Sequence, residues 1–325
     1  MKYHTPVRAA VSALALSAGV ALAAVAIPAN AQQLSGGEAA PMSVADVMVD
    51  DFIGTISIRE GRQLSYSVDM GRDLVSAPKA TKTGKKLIIS GGQEDGPRRC
   101  KINDDQFEMK MPGGKMSPLS DFPVLTITAP KNSAVSVGLR SGKLEMEDAA
   151  SLSLNFMGCG DAAFANVAGM LDVAILGSGD IVGESAGSAS INILGSGDFE
   201  IEDVTSSMDI SISGSGDVEV GTVAGPLSVN VRGSGDTEIE RADTEISIDL
   251  KGSGDVSIDS GNVQNFNANV LGSGDVEFNG DANDVSVLLK GSGDVYVARL
   301  TGNRVVERHG SGDVRIGSWS SDDKE

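Results

Sequence analysis

Apolar and polar residues alternate along most of the chain from residue 131 onwards. In the stretch that begins at Asp217, Val218 and Val220 form one short alternating run, a turn follows, and residues 227–231 form a second run. Alternation with a period of two, carried by β-branched residues, is typical of strands that bury one face. No helical periodicity interrupts this region. The pattern therefore predicts an all-β fold.

A tetrapeptide, Gly-Ser-Gly-Asp, punctuates the strands and occurs eight times. Its aspartates recur at a nearly constant spacing and are Asp180, Asp198, Asp217, Asp236, Asp255, Asp275, Asp294 and Asp313. A variant copy, residues 158–161, ends at Asp161, and a degenerate copy, Ser141-Gly142-Lys143, precedes it. A fixed period of about 19 residues over this length predicts a solenoid.

Each repeat holds two short strands and two turns, which is too little to bury an apolar face alone. Stacked repeats bury that face when each strand pairs in parallel with its copy in the next coil. The sequence therefore predicts an all-β, single-stranded parallel β-helix (a solenoid) with about 19 residues per coil. Because parallel crossovers favour right-handed winding, we expect a right-handed helix.

The stacked Gly-Ser-Gly-Asp corners have two interpretations. In the structural one, glycine permits positive φ and close backbone approach, and Ser and Asp cap backbone N–H groups, which gives a turn ladder. In the functional one, carboxylates stacked about 5 Å apart repel their neighbours by on the order of 1 kcal/mol in water, and Ca²⁺ would relieve that repulsion. The candidate Ca²⁺ ligands are Asp161, Asp180, Asp198, Asp217, Asp236, Asp255, Asp275, Asp294 and Asp313. No other cofactor is predicted, and no catalytic residues are predicted.

Residues 1–31 have the features of a secretory signal peptide. Lys2 and Arg8 form a basic region, an apolar run follows, and Ala29-Asn30-Ala31 fits the small-x-small cleavage pattern. The alternative is an uncleaved membrane anchor, since the apolar run is long enough to span a bilayer. After cleavage we expect no transmembrane segment.

The remainder divides into three parts. Residues 32–130 carry weaker strand patterns and indicate a linker and an irregular β cap at the N-terminal end of the solenoid. Residues 131–317 form the regular β-helix with Gly-Ser-Gly-Asp turns, and residues 318–325 are a polar tail that we expect to be disordered.

The apolar pattern changes in the last coil. After Asp294, the positions that should face inward are Arg304, Val306 and Arg308. Two arginines in a core column would be costly. Either the register slips here, or this coil is an exposed cap.

The net charge is −19 and the sequence pI is near 4.4. Nucleic acids and anionic membranes need a basic surface, so the charge argues against both as partners. The only histidines are His4 and His309, which argues against a His-rich metal site or a Ser-His-Asp relay.

The two cysteines of the chain are Cys100 and Cys159, and Cys159 replaces the serine of the first corner. In an oxidising compartment, a disulfide between them would tie the cap to the first coils. It would stabilise the fold by roughly 4 kcal/mol in the chain-entropy model. The alternative is two free thiols.

Alternating strands punctuated by Gly-Ser-Gly-Asp resemble the GIN domain family of autotransporter-adhesin head domains. The segment Asp51-Phe52-Ile53-Gly54-Thr55-Ile56-Ser57-Ile58 is similar to the usual first strand of that family, and the resemblance covers roughly residues 49–317. It implies a β-helical fold in an exported bacterial protein, and it carries no catalytic residues to transfer. No translocator segment follows the last coil, so we expect export without a self-encoded pore.

The sequence thus favours a non-enzymatic, exported bacterial envelope protein: an adhesin-like or structural rod, periplasmic or on the cell surface. Expected partners are envelope proteins or glycans. One alternative is a Ca²⁺-stabilised binding module. Another is a β-helical polysaccharide-degrading enzyme, which the short, uniform coils disfavour because no long loop walls a cleft.

Overall fold

The computed structural model of the chain describes residues 34–35, 45–93, 95–103 and 106–318. The predicted signal peptide and nearly all of the polar tail, with Trp319, lie outside these residues. The fold prediction is confirmed, because the described strands form a parallel β-solenoid of about ten turns with the ~19-residue period. The hand of the helix stays a prediction.

Strands make up nearly all of the described regular structure, together with one 3-10 turn at Leu119–Asp121. The N-terminal strands are β1 (Leu34–Ser35), β2 (Asp46–Glu60), β3 (Ser65–Asp69), β4 (Lys79–Thr83), β5 (Lys86–Ser90), β6 (Arg99–Asn103), β7 (Gln106–Lys110), β8 (Met116–Pro118) and β9 (Val124–Ala129). The coil strands are β10 (Ala134–Met146), β11 (Ser151–Phe156), β12 (Cys159–Ile175), β13 (Ser178–Ile193), β14 (Phe199–Val204), β15 (Met208–Ile212), β16 (Val218–Val223), β17 (Leu227–Val231), β18 (Thr237–Ala242), β19 (Thr244–Leu250), β20 (Val256–Ile258), β21 (Asn262–Val270), β22 (Val276–Leu289), β23 (Val295–Leu300), β24 (Arg304–Arg308) and β25 (Val314–Ser318).

Successive coils stack in register, so that equivalent residues form columns. Phe199 of β14 lies opposite Val218 of β16, which lies opposite Thr237 of β18. On the second strand of each coil, Ile210 lies opposite Val229 and Val229 opposite Ile248. One face of the strands from β10 to β23 therefore points into the solenoid, as the period-two pattern predicts.

The core is a continuous apolar column between the two strand layers. Its largest fully buried side chains include Phe156, Phe199, Phe266 and Phe278. The rings of Phe266 and Phe278 stack with centroids 5.3 Å apart. Such packing links each coil to its neighbours, and no coil holds a core of its own.

The N-terminal region contributes a full coil that the sequence pattern did not indicate. β2 pairs in parallel with β10 along both of its halves, with Gly54 opposite Gly142. On its other edge β2 pairs with β5 and β9. The first coil, formed by β2, therefore lies inside the stack. It is flanked by β10 on one side and by β5 and β9 on the other. The antiparallel strands β3 and β4 then close the end, on β9 and β5 respectively.

At the C-terminal end the register does not slip. β24 continues the column of β22, with Arg304 opposite Val285, Val306 opposite Val287 and Arg308 opposite Leu289. Both arginines are exposed, and Val306 is half-buried. Of the two sequence alternatives, the structure therefore shows an exposed last coil.

Candidate functional site

The Gly-Ser-Gly-Asp corners stack so closely that they leave no room for a side chain at the glycine positions. A Cβ on Gly233 would lie 1.8 Å from the carbonyl oxygen of Gly214, and one on Gly235 would lie 2.0 Å from that of Gly216. The expectation of positive φ is wrong for all eight intact copies, because their glycines have ordinary φ values. In this corner column, positive φ occurs only upstream, at Gly54, Gly142 and Gly160.

The aspartates of these corners form a hydrogen-bonded ladder. The backbone N–H of Asp217 donates to Oδ1 of Asp198 at 2.8 Å, and that of Asp236 donates to Asp217 at 2.8 Å. The same bond repeats up to Asp313, whose N–H donates to Asp294 at 2.7 Å. A carboxylate that accepts a backbone N–H is stabilised in its charged form. The ladder thus offsets part of the repulsion between stacked carboxylates.

Cations lie at both ends of the aspartate ladder. Lys143 precedes Asp161 in the column, and its Nζ lies 3.4 Å from Oδ2 of Asp161. At the other end, Nη1 of Arg308 lies 3.0 Å from Oδ1 of Asp313, and Arg315 lies 3.5 Å from its Oδ2. The sequence pattern singled out Arg308 as a problem for the core. The structure shows that its side chain pairs with the last carboxylate of the ladder.

A second row of carboxylates runs beside the ladder. Together with the ladder aspartates, these residues form the acidic face: Glu200, Glu219, Glu238 and Glu277. Residues 144–231 contain 14 Asp and Glu and no Lys or Arg. Burial raises the pKa of Asp180, with a further contribution from Asp198 and Asp161. Burial, with the charges of Glu200 and Glu240, also raises the pKa of Glu219.

The acidic face has an arrangement that fits the structural interpretation of its aspartates. One carboxylate oxygen of each intact-copy aspartate from Asp180 to Asp294 accepts the N–H of the next coil. Across the residues that the structure describes, no cluster of three or more His, Cys, Asp or Glu side chains is arranged to hold a metal ion. Calcium binding by the nine aspartates stays a prediction.

The opposite side of the coil stack carries mostly uncharged polar side chains. We call it the hydroxyl–amide face, formed by the outward residues Ser190, Asn192, Asp209, Ser211, Ser228, Asn230, Ser247, Asp249, Asn267 and Asn269. These rows continue upstream through Ser153 and Asp172. Serine hydroxyls and asparagine amides both donate and accept hydrogen bonds, so the face offers regularly spaced polar contacts.

The first coils form a shallow groove on this same face. The groove has a volume of about 510 Å³, and its lining includes Met48, Lys86, Ser136, Ser153, Met170 and Asp172. The side chain of Met170 is 47% exposed. The small residues Ser136 and Ser153 leave space between the two methionines. The groove therefore combines hydroxyl groups, charges of both signs and apolar thioethers.

The two cysteines meet at the first corner. In the structure Cys100 and Cys159 form a disulfide across a sequence separation of 59, with Cα atoms 6.5 Å apart. Cys100 lies on β6, whose hairpin with β7 is inserted between β5 and β9. Cys159 packs in an apolar cluster with Ile53, Met109 and Phe122. The disulfide thus joins the inserted hairpin to the coil stack, and its formation in the cell stays a prediction.

The geometry brings the nine predicted aspartates together in one column, and it extends that column through Lys143 of the degenerate copy to Thr55, which the sequence pattern missed. Lys143 occupies the aspartate position of the degenerate copy, and Thr55 the same position one coil earlier. Neither position carries an acid, so the search for Gly-Ser-Gly-Asp could not find the first coil. The available sequence signals were Gly54 itself and the similarity of residues 51–58 to the usual first strand of the GIN family.

These features define the class: a parallel β-solenoid with stacked glycine corners and an aspartate ladder. One protein family, described as "Putative auto-transporter adhesin, head GIN domain", matches residues 99–240 and 222–321. The chain belongs to this family. No curated protein of established annotation matches the sequence.

Solved structures also show similarity. A "putative adhesin" from Bacteroides fragilis is 10% identical, with 88% of this chain and 97% of that chain covered and a TM-score of 0.35. A "Putative lipid binding protein" from Parabacteroides distasonis is 13% identical, with 90% and 98% covered and a TM-score of 0.30. Because both TM-scores are below 0.5, neither match bears on the function of this chain. In the described part of the chain, no helix has the length and hydropathy that a membrane span requires.

Proposed function

We propose that this protein is an exported, non-catalytic, adhesin-like component of the bacterial envelope whose hydroxyl–amide face binds glycans. The observation that carries the proposal is the combination of long rows of Ser, Asn and Asp with the groove at Met48, Ser153 and Met170. Hydroxyl, amide and carboxylate groups in regular rows match the donors and acceptors of a sugar chain. The apolar thioethers offer contact to the C–H faces of a sugar ring.

The distribution of carboxylates supports a binding role over a catalytic one. Acid–base catalysis needs two acids in different environments. The ladder aspartates instead have the same partner and the same spacing in coil after coil. The depression on the acidic face, about 340 Å³ between Asp180 and Glu219, is open to solvent and repeats the same groups.

Export is supported by the basic and apolar pattern of residues 1–31 and by the position of the two cysteines. The first experiment places the protein in the cell. Antibody labelling and protease shaving are carried out on intact cells of the source bacterium and on permeabilised ones. Labelling of intact cells is the result expected of a surface adhesin. Protection until permeabilisation would contradict adhesion and leave a periplasmic rod with envelope proteins as partners.

The second experiment tests the glycan ligand. The purified protein is applied to a panel of immobilised bacterial and host polysaccharides. We expect Ser153→Arg to abolish binding, because the longer side chain fills the groove. Ser257→Arg is the matched control, since Ser257 lies in the row of Glu238 and Glu277 on the acidic face, outside the proposed binding face. Equal binding by both variants and the parent protein would contradict the groove as the site, and absence of any binding would contradict the glycan proposal.

A further inference from the structure

A further column of side chains runs along the Gly-Ser-Gly-Asp corners, on the other side of the turn from the aspartate ladder. It is formed by the residue that precedes each corner, and the backbone of each member bonds to the previous coil. We call this column the rim: Met157, Leu176, Leu194, Ser213, Arg232, Lys251, Leu271, Lys290 and His309. None of these residues is acidic, although the net charge of the chain is −19.

The rim collects cations and exposed apolar side chains. Residues 144–303 contain five Lys and Arg, and three of them lie in the rim. The side chains of Leu176 and Leu194, which belong to neighbouring coils, are 49% and 52% exposed, and that of Leu271 is 40% exposed. Exposed leucines in a row beside cations are typical of a protein contact surface.

Two of the rim cations have no partner within the chain. Lys251 forms an ion pair with Asp249, two residues before it. Arg232 and Lys290 have no hydrogen-bond or ion-pair partner among the residues that the structure describes. The Gly-Ser-Gly segment separates each of them from the ladder aspartate of its own corner, so neither cation is neutralised there.

The ladder aspartates of the same two corners use only one carboxylate oxygen. Oδ1 of Asp236 accepts the N–H of Asp255 at 2.8 Å, and Oδ1 of Asp294 accepts that of Asp313 at 2.7 Å. In the described part of the chain, Oδ2 of Asp236 and Oδ2 of Asp294 have no partner. Each corner therefore presents an unpaired cation on one side and a free carboxylate oxygen on the other.

This order of charges is self-complementary under one particular symmetry. A half-turn about an axis parallel to the stack, just outside the corner, exchanges the two sides of the corner and keeps every coil at its own height. The rim of one copy then faces the ladder of the other, and the contact is reciprocal, as in any isologous pair. A half-turn that reverses the stack direction would instead place cations opposite cations and carboxylates opposite carboxylates.

We propose that two copies of this chain associate side by side and in parallel, corner against corner, through the rim of each copy and the aspartate ladder of the other. Arg232 and Lys290 pair with Oδ2 of Asp236 and Asp294 of the second copy. The exposed leucines of the rim pack on the Gly-Ser-Gly backbone of the facing corners.

The two-fold axis makes weak contacts count twice. A single exposed ion pair contributes little, but every rim–ladder pair occurs in two copies, and the leucines add apolar area. The same axis places the hydroxyl–amide faces on opposite sides of the pair. Association is therefore independent of the proposed glycan binding.

Sedimentation equilibrium tests the association with the chain from residue 32 onwards, which forms one compact unit. We expect a monomer–dimer equilibrium, and Arg232→Glu with Lys290→Glu should weaken the dimer at least about tenfold. Arg241→Glu with Arg299→Glu is the matched control, because it changes the net charge equally at exposed arginines of β18 and β23, away from the rim. The control should leave the dissociation constant within about twofold.

Cross-linking tests the parallel orientation. Ser234 is exposed at the tip of its corner and lies beside Ser234 of the second copy in the proposed dimer. Ser234→Cys should therefore give a covalent dimer with a short bismaleimide. Ser228→Cys, exposed on the hydroxyl–amide face, is the control and should give none. Cys100 and Cys159 form a disulfide and add no reactive thiol.

Three results would overturn the proposal. The first is a parent protein that stays monomeric at the highest concentration reached. The second is a dimer that both pairs of arginine and lysine substitutions weaken equally, which would reflect net charge alone. The third is cross-linking through Ser228→Cys in place of Ser234→Cys, which would assign the contact to another surface. An unchanged Tm of the Arg232→Glu, Lys290→Glu variant shows that the loss of the dimer is not a loss of the fold.

Discussion

Glycine meets different physical demands in the regular coils and in the N-terminal region. In the coils, Gly233 has an ordinary φ, but the backbone of the next coil occupies the place of its Cβ. In the N-terminal turns, Gly84 has φ +59° and nothing lies within 4 Å of a Cβ placed there. The coil glycine is required for space and the turn glycine for backbone conformation. The same residue type is therefore favoured at the two positions for unrelated reasons.

The largest effect should come from a methyl group in the corner column. Gly233→Ala places a carbon 1.8 Å from a backbone oxygen, so two coils must separate, and we expect a loss of more than about 4 kcal/mol in unfolding free energy. Gly84→Ala should cost only about 1–2 kcal/mol, which is the strain of a left-handed conformation. Urea denaturation measures both. Equal losses of unfolding free energy for Gly233→Ala and Gly84→Ala would contradict the distinction between the coil glycines and the turn glycines.

A matched substitution sharpens this result. Ser234 lies beside Gly233 in the same corner, outside the apolar core, and Ser234→Ala should leave the midpoint of unfolding unchanged. Gly84→Asn should be tolerated better than Gly84→Ala, because asparagine enters the left-handed region more readily. Gly233→Asn should be no better than Gly233→Ala.

The second prediction concerns the link between the N-terminal insertion and the coils. Cys100→Ser with Cys159→Ser should lower the unfolding free energy by about 4 kcal/mol, because the disulfide links cysteines with a sequence separation of 59. Reduction of the parent protein should reproduce the loss. Thiol labelling of unfolded, unreduced protein provides the check, and two labels per chain would contradict the disulfide.

A third, smaller effect tests the uniformity of the coil core. Thr237 is 1% exposed and lies in a column between Val218 and Val256, and its Oγ1 has no hydrogen-bond partner in the described part of the chain. Thr237→Val keeps the shape and removes the unsatisfied hydroxyl, so we expect a gain of about 1 kcal/mol. Val218→Thr in the same column should cost a similar amount. A stabilising Val218→Thr would contradict this account.

The fourth prediction uses the acidic face and has a defined sign. The pKa of Asp180 is raised, so the folded state binds its proton more readily, and stability rises as pH falls through the folded pKa towards 3.8. Asp180→Asn should therefore stabilise the fold at pH 7, by no more than about 0.5 kcal/mol after solvent screening. The gain should appear as a higher Tm at pH 7 and vanish below pH 3.8.

Asp148 provides the opposite case for the same measurement. Its pKa is lowered by Lys131 and Asn166, so it contributes stability above 3.8 that is lost as pH falls through the folded pKa. Asp148→Asn should lower the Tm at pH 7 and have little effect in acid. If Asp180→Asn and Asp148→Asn changed the Tm at pH 7 in the same direction, the opposite pKa shifts assigned to the two aspartates would be contradicted.

The smallest expected effect is that of calcium removal. Because one oxygen of most ladder carboxylates already accepts a backbone N–H, we expect no change in Tm when EGTA is added to the parent protein. Calorimetric titration of metal-free protein with Ca²⁺ should show no heat. A heat of binding together with a raised Tm would instead support the Ca²⁺-stabilised alternative.

The regular coils could be predicted from the sequence because local pattern and contact pattern share one period. Any residue in the range 177–294 finds its neighbour one repeat away, so the motif alone defines the pairing. The unpaired hydroxyl of Thr237 could not be predicted in this way, since a threonine fits the alternating pattern as well as a valine does.

The N-terminal region could not be predicted to the same degree, because its pairings follow no fixed spacing. β2 pairs with β5, β9 and β10, and each of these partners lies at a different distance along the chain, well beyond one repeat period. Its corner at Gly54 lacks both the serine and the aspartate of the motif. The disulfide partner of Cys159 was predictable only because the chain holds two cysteines.

Because the residues of successive coils lie in register, the number of coils can change without altering the contacts between neighbouring coils. Removal of one repeat, residues 217–235, would bring Asp236 to the place of Asp217 and leave every hydrogen bond of the ladder with an equivalent donor and acceptor. Duplication of the same residues would lengthen the stack by one strand spacing, about 4.8 Å. A gene that encodes this fold can therefore change the reach of its product in fixed increments, through slippage or unequal recombination between near-identical repeats, without redesign of either end.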